Sequence, residues 1–200
     1  MAREIEAKIR VPDLNAIHAG LLALGASDEG LNLERNWVFD DADGSLHARG
    51  VLLRVRSHGD AGGILTVKRK IDGGAFKTRE EVESMVDSTD DLLRQLEILG
   101  YGVAWIYEKR RRTMLWRDCV FALDECPEIG CFVEIEGSED GIRAACETIG
   151  LNPDSHIEDN YLGLWQKYLR ANGEEPRHMT FARDDAETRR FSGRNTHTGL

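Results

Sequence analysis

Charged residues recur at every second position in several short segments of this chain. In EIEAK, Glu4, Glu6 and Lys8 alternate with Ile5 and Ala7; LLRVRS sets Arg54 and Arg56 against Leu53 and Val55; LTVKRK puts Lys68 and Lys70 in one row. TREEVES adds Arg79, Glu81 and Glu83, YEKRRRT adds Lys109 and Arg111, FALDE contributes Asp124, and FVEIEG alternates Glu134 and Glu136 with Val133 and Ile135. A period of two belongs to the β-strand, so each segment predicts a strand with one apolar and one charged face. Such a mixture is well suited to a polyphosphate. Arg and Lys take phosphate oxygens, the Arg fork in bidentate fashion, and clustered carboxylates bind Mg2+ or Mn2+, which bridges the phosphates. Carboxylates alone would repel the anion, and bases alone would bind it without activating it. The two together predict metal-dependent phosphoryl chemistry.

Helices fall between some of these strands. PDLNAIHAGLLALG runs from a Pro-Asp cap to Gly25, DSTDDLLRQLEILG from near Ser88 to Gly100, and SEDGIRAACETIG from near Ser138 to Gly150, with Gly141 weakening its first turn. A fourth is expected from about Asp159 to Ala171, with Tyr161, Leu162, Trp165 and Leu169 as its apolar stripe. The helices must bury those faces on the apolar side of the strands, which sends the charged rows to the other side of the sheet. Two arrangements satisfy this. An open antiparallel sheet puts the charges in water; a closed one gathers them into a single lumen. The nearly unbroken charged rows, and helices following strands all along the chain, favour closure without deciding it.

Two hundred residues, 41% hydrophobic and 31% charged, fit one domain with a core, or a domain plus a tail. The formal net charge of −10 repels nucleic acid and anionic membrane, so an anion must be held by a local basic cluster. No stretch approaches the roughly 18 apolar residues of a membrane span, and Met1-Ala2-Arg3-Glu4 lacks the apolar run of a signal peptide, so a cytoplasmic protein is expected. Cys119, Cys126, Cys131 and Cys146 have no C-x-x-C spacing and are read as reduced thiols. Trp37 and Trp105 are read as outer packing, with stacking on a ligand ring as the alternative. Arg35 is expected in a loop as a solvated residue. Residues 1–171 form the expected domain, and 172–200 a polar tail that docks in part through Met179 and Phe181 and is mobile beyond Arg183.

The opening EIEAK resembles the E-x-E-x-K signature of the CYTH family, also called triphosphate tunnel metalloenzymes, which includes class IV adenylyl cyclases and thiamine triphosphatases. The resemblance continues in order through ERNWVFD, LLRVR, LTVKRK, TREEVE, YEKRRRTM, FALDE, GCFVEIE and NYLGLW, about 160 residues in all. It implies an α+β fold: an eight-stranded antiparallel barrel forming a tunnel open at both ends, with helices outside. By position, Glu4, Glu6, Asp124, Glu134 and Glu136 resemble the metal-binding acids, and Lys8, Arg54, Arg56, Lys68, Arg79, Lys109 and Arg111 the phosphate-binding bases. Lys70 is optional. Glu81 and Glu83 match acids of the family's central strand and either position metal or water or pair structurally with Arg79; Lys8 is a further candidate for positioning the attacking water. One departure is that Asp159-Asn160-Tyr161 stands where relatives often carry Lys-Ser-Tyr. The implied activity is hydrolysis of an inorganic, thiamine or nucleoside triphosphate with Mg2+ or Mn2+. Cyclisation of ATP to cyclic AMP and pyrophosphate is the alternative, and a non-catalytic polyphosphate binder is a third reading that leaves the acids unexplained. A small-molecule triphosphate is the expected partner, and homodimerisation stays open.

Overall fold

The computed structural model describes residues 2–58, 62–71 and 75–182. In chain order these form β1 (Ala2–Val11), α1 (Leu14–Ala23), β2 (Ser27–Asp40), α2 (Ser45–Ala48), β3 (Val51–His58), β4 (Gly62–Lys70), β5 (Lys77–Val86), α3 (Thr89–Ile98), β6 (Gly102–Trp116), β7 (Cys119–Cys126), β8 (Gly130–Glu136), α4 (Glu139–Thr148) and α5 (Tyr161–Asn172). All eight strands pair antiparallel in the cyclic order β1-β5-β4-β3-β2-β6-β7-β8, and β8 returns to β1. The sheet is therefore a closed barrel with an inside, as the resemblance implies.

The helix ends follow local chemistry. Asp13 caps α1 by accepting the Asn15 amide at 2.8 Å, Ser88 caps α3 through the Asp91 amide at 3.1 Å, and Ser138 caps α4 through the Gly141 amide at 3.1 Å. Gly25, Gly100 and Gly150 follow the three helices with positive φ, the backbone state that ends a helix at low steric cost. Gly141 is a packing residue as well as a weak helix former, because a Cβ there would stand 3.0 Å from Ser138 Oγ and 3.3 Å from Cys119 Sγ.

The helices bury the apolar strand faces from outside. α1 and α4 cover β1, β7 and β8, packing Leu21, Ile142, Ala145 and Cys146 against Ala7, Ile9, Phe121, Val133 and Ile135. α2 covers β2 and β3, and α3 covers β3 and β4; Leu46, Leu92, Leu93 and Leu96 join Trp37, Phe39, Leu53 and Val55 in one apolar cluster. Trp37 is thus outer packing, as expected. α5 does something else. It lies across one end of the barrel, where Tyr161, Trp165 and Leu169 pack with Trp105, Tyr107, Cys126 and Phe132, so that end is covered rather than open.

β2 is longer than its sequence pattern suggests. Its first half, SDEGLNL, has no consistent apolar face, and it is a strand because Ser27 to Leu33 pair along β6 from Leu115 to Arg110. Arg35 consequently belongs to a strand, and its guanidinium pairs with buried Glu108 at 2.8 Å instead of being solvated. At the other end of the chain, segment 176–181 lies as a strap along the edge of β6. Met179 is fully buried and bridges Tyr107, with the Glu108 amide donating to the Met179 carbonyl at 2.8 Å. The expected mobile tail beyond Arg183 lies outside the described residues. Among the described residues, no helix is long and apolar enough to cross a membrane, and no disulfide joins the four cysteines.

If α4 is held by apolar contact alone, Ile142→Ala, which removes a fully buried side chain, should cost about 2–5 kcal/mol. Urea unfolding with an unchanged m-value checks this, and a loss below about 0.5 kcal/mol, typical of surface positions, would contradict the packing described.

Candidate active site in the barrel lumen

A cavity of about 900 Å³ occupies the barrel and continues beneath α5. Strand alternation delivers Glu4, Glu6, Lys8, Arg54, Arg56, Lys68, Lys70, Arg79, Glu81, Glu83, Lys109, Arg111, Glu134 and Glu136 to its wall. These are the residues singled out by spacing and resemblance, with one exception. Asp124 is on the same face, opposite Arg111, but is fully buried beneath its neighbours and does not line the cavity. Its carboxylate accepts from Lys109 Nζ at 3.1 Å, Arg111 Nε at 2.7 Å and the Tyr161 hydroxyl at 2.6 Å.

The register explains which charges meet. Lys109 lies opposite Glu34 across β2 and β6, and Arg111 opposite Asp124 across β6 and β7, while Lys8 lies opposite Glu134 across β1 and β8. Lys8 Nζ sits 3.3 Å from Glu134 and 4.0 Å from the centre of the Tyr161 ring, and Arg111 bridges Glu134 and Asp124. Around the wall, Lys68 Nζ stands between Glu4 at 2.8 Å and Glu81 at 2.9 Å, and Lys77 Nζ pairs with Glu6 at 2.7 Å. Thr66 donates to Glu83 at 2.7 Å and accepts from Arg54 at 3.2 Å.

These neighbours split the acids into two kinds. Burial pushes Glu34 up, but Lys109, Arg111 and Arg56 outweigh it and hold the carboxyl at about 2. Glu134 is likewise held well below the carboxylate range, with Lys8, Lys109 and Arg111 overcoming burial. Glu81 goes the other way: burial, reinforced by Glu4, lifts it to about 7 despite Lys68. Glu136 is raised by burial and by Glu4 and Glu6. The second group is a cluster of carboxylates short of positive charge.

The bases are also incompletely satisfied. Arg54 Nε, Arg79 Nε and both side-chain atoms of fully buried Asn36 have no hydrogen-bond partner among the described residues. Glu34 Oε2 lies within ion-pair reach of Lys109, at 3.5 Å, without making a hydrogen bond. Unsatisfied guanidinium N–H groups in a charged lumen are what an anion-binding cage presents before its ligand arrives. Glu4, Glu6, Glu81 and Glu136 offer oxygen donors only, the set that suits Mg2+ or Mn2+. Among the described residues, no three acid, His or Cys side chains already converge as a cation cage. Lys68 is paired with Glu4 and Glu81 and Lys77 with Glu6, so a divalent cation bound by these acids would have to displace or compete with those ammonium groups.

Some lining residues are given no role by the sequence reading, Glu34 and Lys77 among them. Lys77 continues the row of Arg79, Glu81 and Glu83 one step back, a signal the alternation carries. Glu34 alternates with Asn36 and Val38, which reads as an ordinary strand until its cationic neighbours are known. Trp105, read as outer packing, lines the cavity because it shares the inward phase of β6 with Tyr107, Lys109 and Arg111. In the departing Asp159-Asn160 pair, Asn160 caps α5 by accepting the Gly163 amide at 2.8 Å, and the Asp159 carbonyl accepts from Lys8 at 3.2 Å.

Barrel and lumen together define a class of protein, an antiparallel eight-stranded tunnel with a charged interior. The chain belongs to the CYTH family, whose domain it matches over residues 2–149. It is 23% identical over 171 residues to the Methanocaldococcus jannaschii protein named "Putative adenylate cyclase", covering 80% of this chain and 97% of that one. Its fold is similar to that of the PH1012 protein of Pyrococcus horikoshii, with a TM-score of 0.68, 24% identity, and coverage of 80% of this chain and 98% of that one. It is also similar to a Hippeastrum protein described as a "putative adenylyl cyclase" that "reveals a dominant" triphosphatase activity, with a TM-score of 0.62, 18% identity, and coverage of 86% and 97%.

The depressed Glu34 carboxyl makes a signed prediction. A group that titrates at about 2 when folded, against about 4.3 unfolded, adds stability above the unfolded value and loses it as pH falls toward 2. Glu34→Gln should therefore lower stability at pH 7 by up to about 3 kcal/mol. The gap from wild type should close between pH 4.3 and 2, as followed by denaturant midpoints. A pH-independent gap would show that shape, not charge, is what the substitution removes.

Proposed function

We propose that this protein is a divalent-metal-dependent triphosphatase that holds its substrate within the barrel. The observation that carries the reading is the coexistence, in one lumen, of Arg54 and Arg79, each with an Nε–H that lacks an acceptor among the described residues, and of Glu81 and Glu136, whose proton affinity is raised. Arg54, Arg56, Arg79, Lys109 and Arg111, with Lys8 and Lys68, bind the phosphate oxygens. Glu4, Glu6 and Glu136 would hold Mg2+ or Mn2+, which when bound neutralises charge on those oxygens. Glu134 and Asp124, each tied to Arg111, fix the guanidinium fork and the Lys8 and Lys109 ammonium groups in place. Glu81 and Glu83 stand on β5 beside Lys68 and Thr66, where they orient water and accept its proton as it attacks the terminal phosphorus and the bond to the bridging oxygen breaks. Lys8 neutralises charge on the phosphate oxygens.

Adenylyl cyclisation is the second reading, favoured by the name carried by the relative from M. jannaschii. It uses the same cage, but the ribose 3′-hydroxyl attacks the α-phosphorus and pyrophosphate leaves. A purely binding module would keep the bases and have no need of the acids on β1, β5 and β8. Cytoplasmic location and a small-molecule triphosphate as partner belong to the same proposal.

Incubation with tripolyphosphate, ATP and thiamine triphosphate in Mg2+ or Mn2+, with products separated chromatographically, tests it. Free phosphate is the expected product; cyclic AMP with pyrophosphate would establish the cyclase, and no turnover of any of the three would leave the binding module. Two substitutions then separate metal from phosphate. Glu6→Gln should lower metal-dependent kcat on the order of a hundredfold while metal-free phosphate binding persists. Arg56→Ala should weaken substrate binding with and without metal by roughly 1.5–3 kcal/mol. Full activity in Glu6→Gln would remove that acid from the metal site.

A further inference from the structure

Lys77 lines the lumen but belongs neither to the phosphate-binding bases nor to the metal-holding acids named for the reaction. Its backbone is fixed by its neighbours. Phe76 and Thr78 flank it on the outward phase of the strand and are both buried, Phe76 in the same apolar cluster as Ile142 of α4 and edge-on to His156 with ring centroids 5.3 Å apart. Alternation then sends the Lys77 side chain inward. Lys77 is also the first residue of β5: pairing with β4 comes no nearer than Arg79, and pairing with β1 ends at Glu6–Lys77 itself. A fixed Cα at the end of a ladder leaves the flexible four-carbon stem as the part that moves.

Lys77 is held by less than the other lumen lysines. Lys68 stands between Glu4 and Glu81, and Lys109 is within ion-pair reach of Glu34, Asp124 and Glu134. Lys8 pairs with Glu134 and donates to the Asp159 carbonyl. Among the described residues Lys77 has one such partner, Glu6, at 2.7 Å. Burial and the positive charges of Lys8 and Arg79 work against its ammonium, and Glu6 offsets them. A divalent cation on Glu6 therefore meets Lys77 at close range, in a space where like charges are weakly screened.

We propose that Lys77 is an exchangeable counter-ion that couples metal to phosphate. Without metal it neutralises Glu6. With a divalent cation on Glu6 it is released and turns to the phosphate oxygens, on the wall that Arg79, two residues on in the same row, already faces. Both ligands then depend on breaking the same ion pair, so whichever binds first leaves less for the other to break, and each tightens the other. The inference rests on the assignment of Glu6 to metal and names the residue that links the two halves of the site.

Calorimetric titration of the full-length protein with Mn2+ alone, and with tripolyphosphate in saturating Mn2+, tests the exchange. Lys77→Met removes the charge and keeps most of the stem. It should bind Mn2+ alone roughly tenfold more tightly than wild type and tripolyphosphate with Mn2+ roughly tenfold more weakly, within the usual range of coupling between two ligands. These changes have opposite signs, which a lysine needed only for packing, or only for phosphate, does not produce. Mn2+ affinity that is unchanged or lower in Lys77→Met overturns the proposal, and so does tripolyphosphate affinity that is unchanged or higher. Lys77→Arg keeps the charge and should bind Mn2+ as wild type does; equal tightening there would make shape the cause and overturn the exchange. Lys77→Gln replaces Lys77→Met if circular dichroism shows that the latter does not fold. Glu6→Gln separates this inference from the reading beneath it. Mn2+ binding as tight as wild type in Glu6→Gln overturns the metal assignment and the exchange with it, whereas lost Mn2+ binding in Glu6→Gln with no gain in Lys77→Met overturns the exchange alone.

Discussion

A closed sheet has an inside, and every charge placed there has to be compensated by another. Taking an ion out of water costs several kcal/mol unless a partner is close and well placed. The register supplies those partners. Asp124, Lys109, Arg111, Glu134 and Lys8 form one connected set across β1, β6, β7 and β8. Lys68, Glu4 and Glu81 form another across β1, β4 and β5. Removing any member leaves its neighbours buried and unbalanced.

The compensation is uneven, and the unevenness locates the chemistry. Glu34 on β2 and Glu134 on β8 are overmatched by cations, which hold their carboxyls low. Glu81 on β5 and Glu136 on β8 are undermatched, and Arg54 on β3 and Arg79 on β5 each keep an Nε–H without an acceptor among the described residues. A lumen optimised for stability alone would pair these groups with each other. Leaving both unsatisfied suits a ligand that brings negative phosphates and a positive metal together, completing the two halves at once.

α5 and the strap join this lattice to the cover of the barrel. Tyr161 begins α5 and donates to Asp124, the acid that fixes Lys109 and Arg111, while Trp165 from the same helix holds the strap through the Arg177 carbonyl. The position of the covering elements is thereby linked to the geometry of the phosphate cage through a short chain of hydrogen bonds. Outside, Glu108 is a buried carboxylate in its own right, stabilised by Arg35 and by the strap it anchors.

Much of this was legible in the sequence because its period is local. Alternation marks which side of each strand is charged, and Ser, Asp and Gly at helix ends mark α1, α3 and α4, since caps and pleats depend on residues only a few positions apart. The order of motifs then brought the barrel into view through resemblance. What the chain could not declare by itself are the relations across strands. Glu34 is an ordinary strand residue until β6 sets Lys109 opposite it, and Asp124 looks like one more lumen acid until Lys109, Arg111 and Tyr161 cover it completely. Trp37 and Trp105 are the same residue type in similar apolar strands, yet one joins the apolar cluster outside the barrel and the other lines the cavity, because strand phase is read against the barrel axis. The sequence by itself determined the residue types and the face of each strand they share. Only the tertiary structure decided which charges face one another and which remain unsatisfied, because register and closure arise from pairings between residues far apart in the chain.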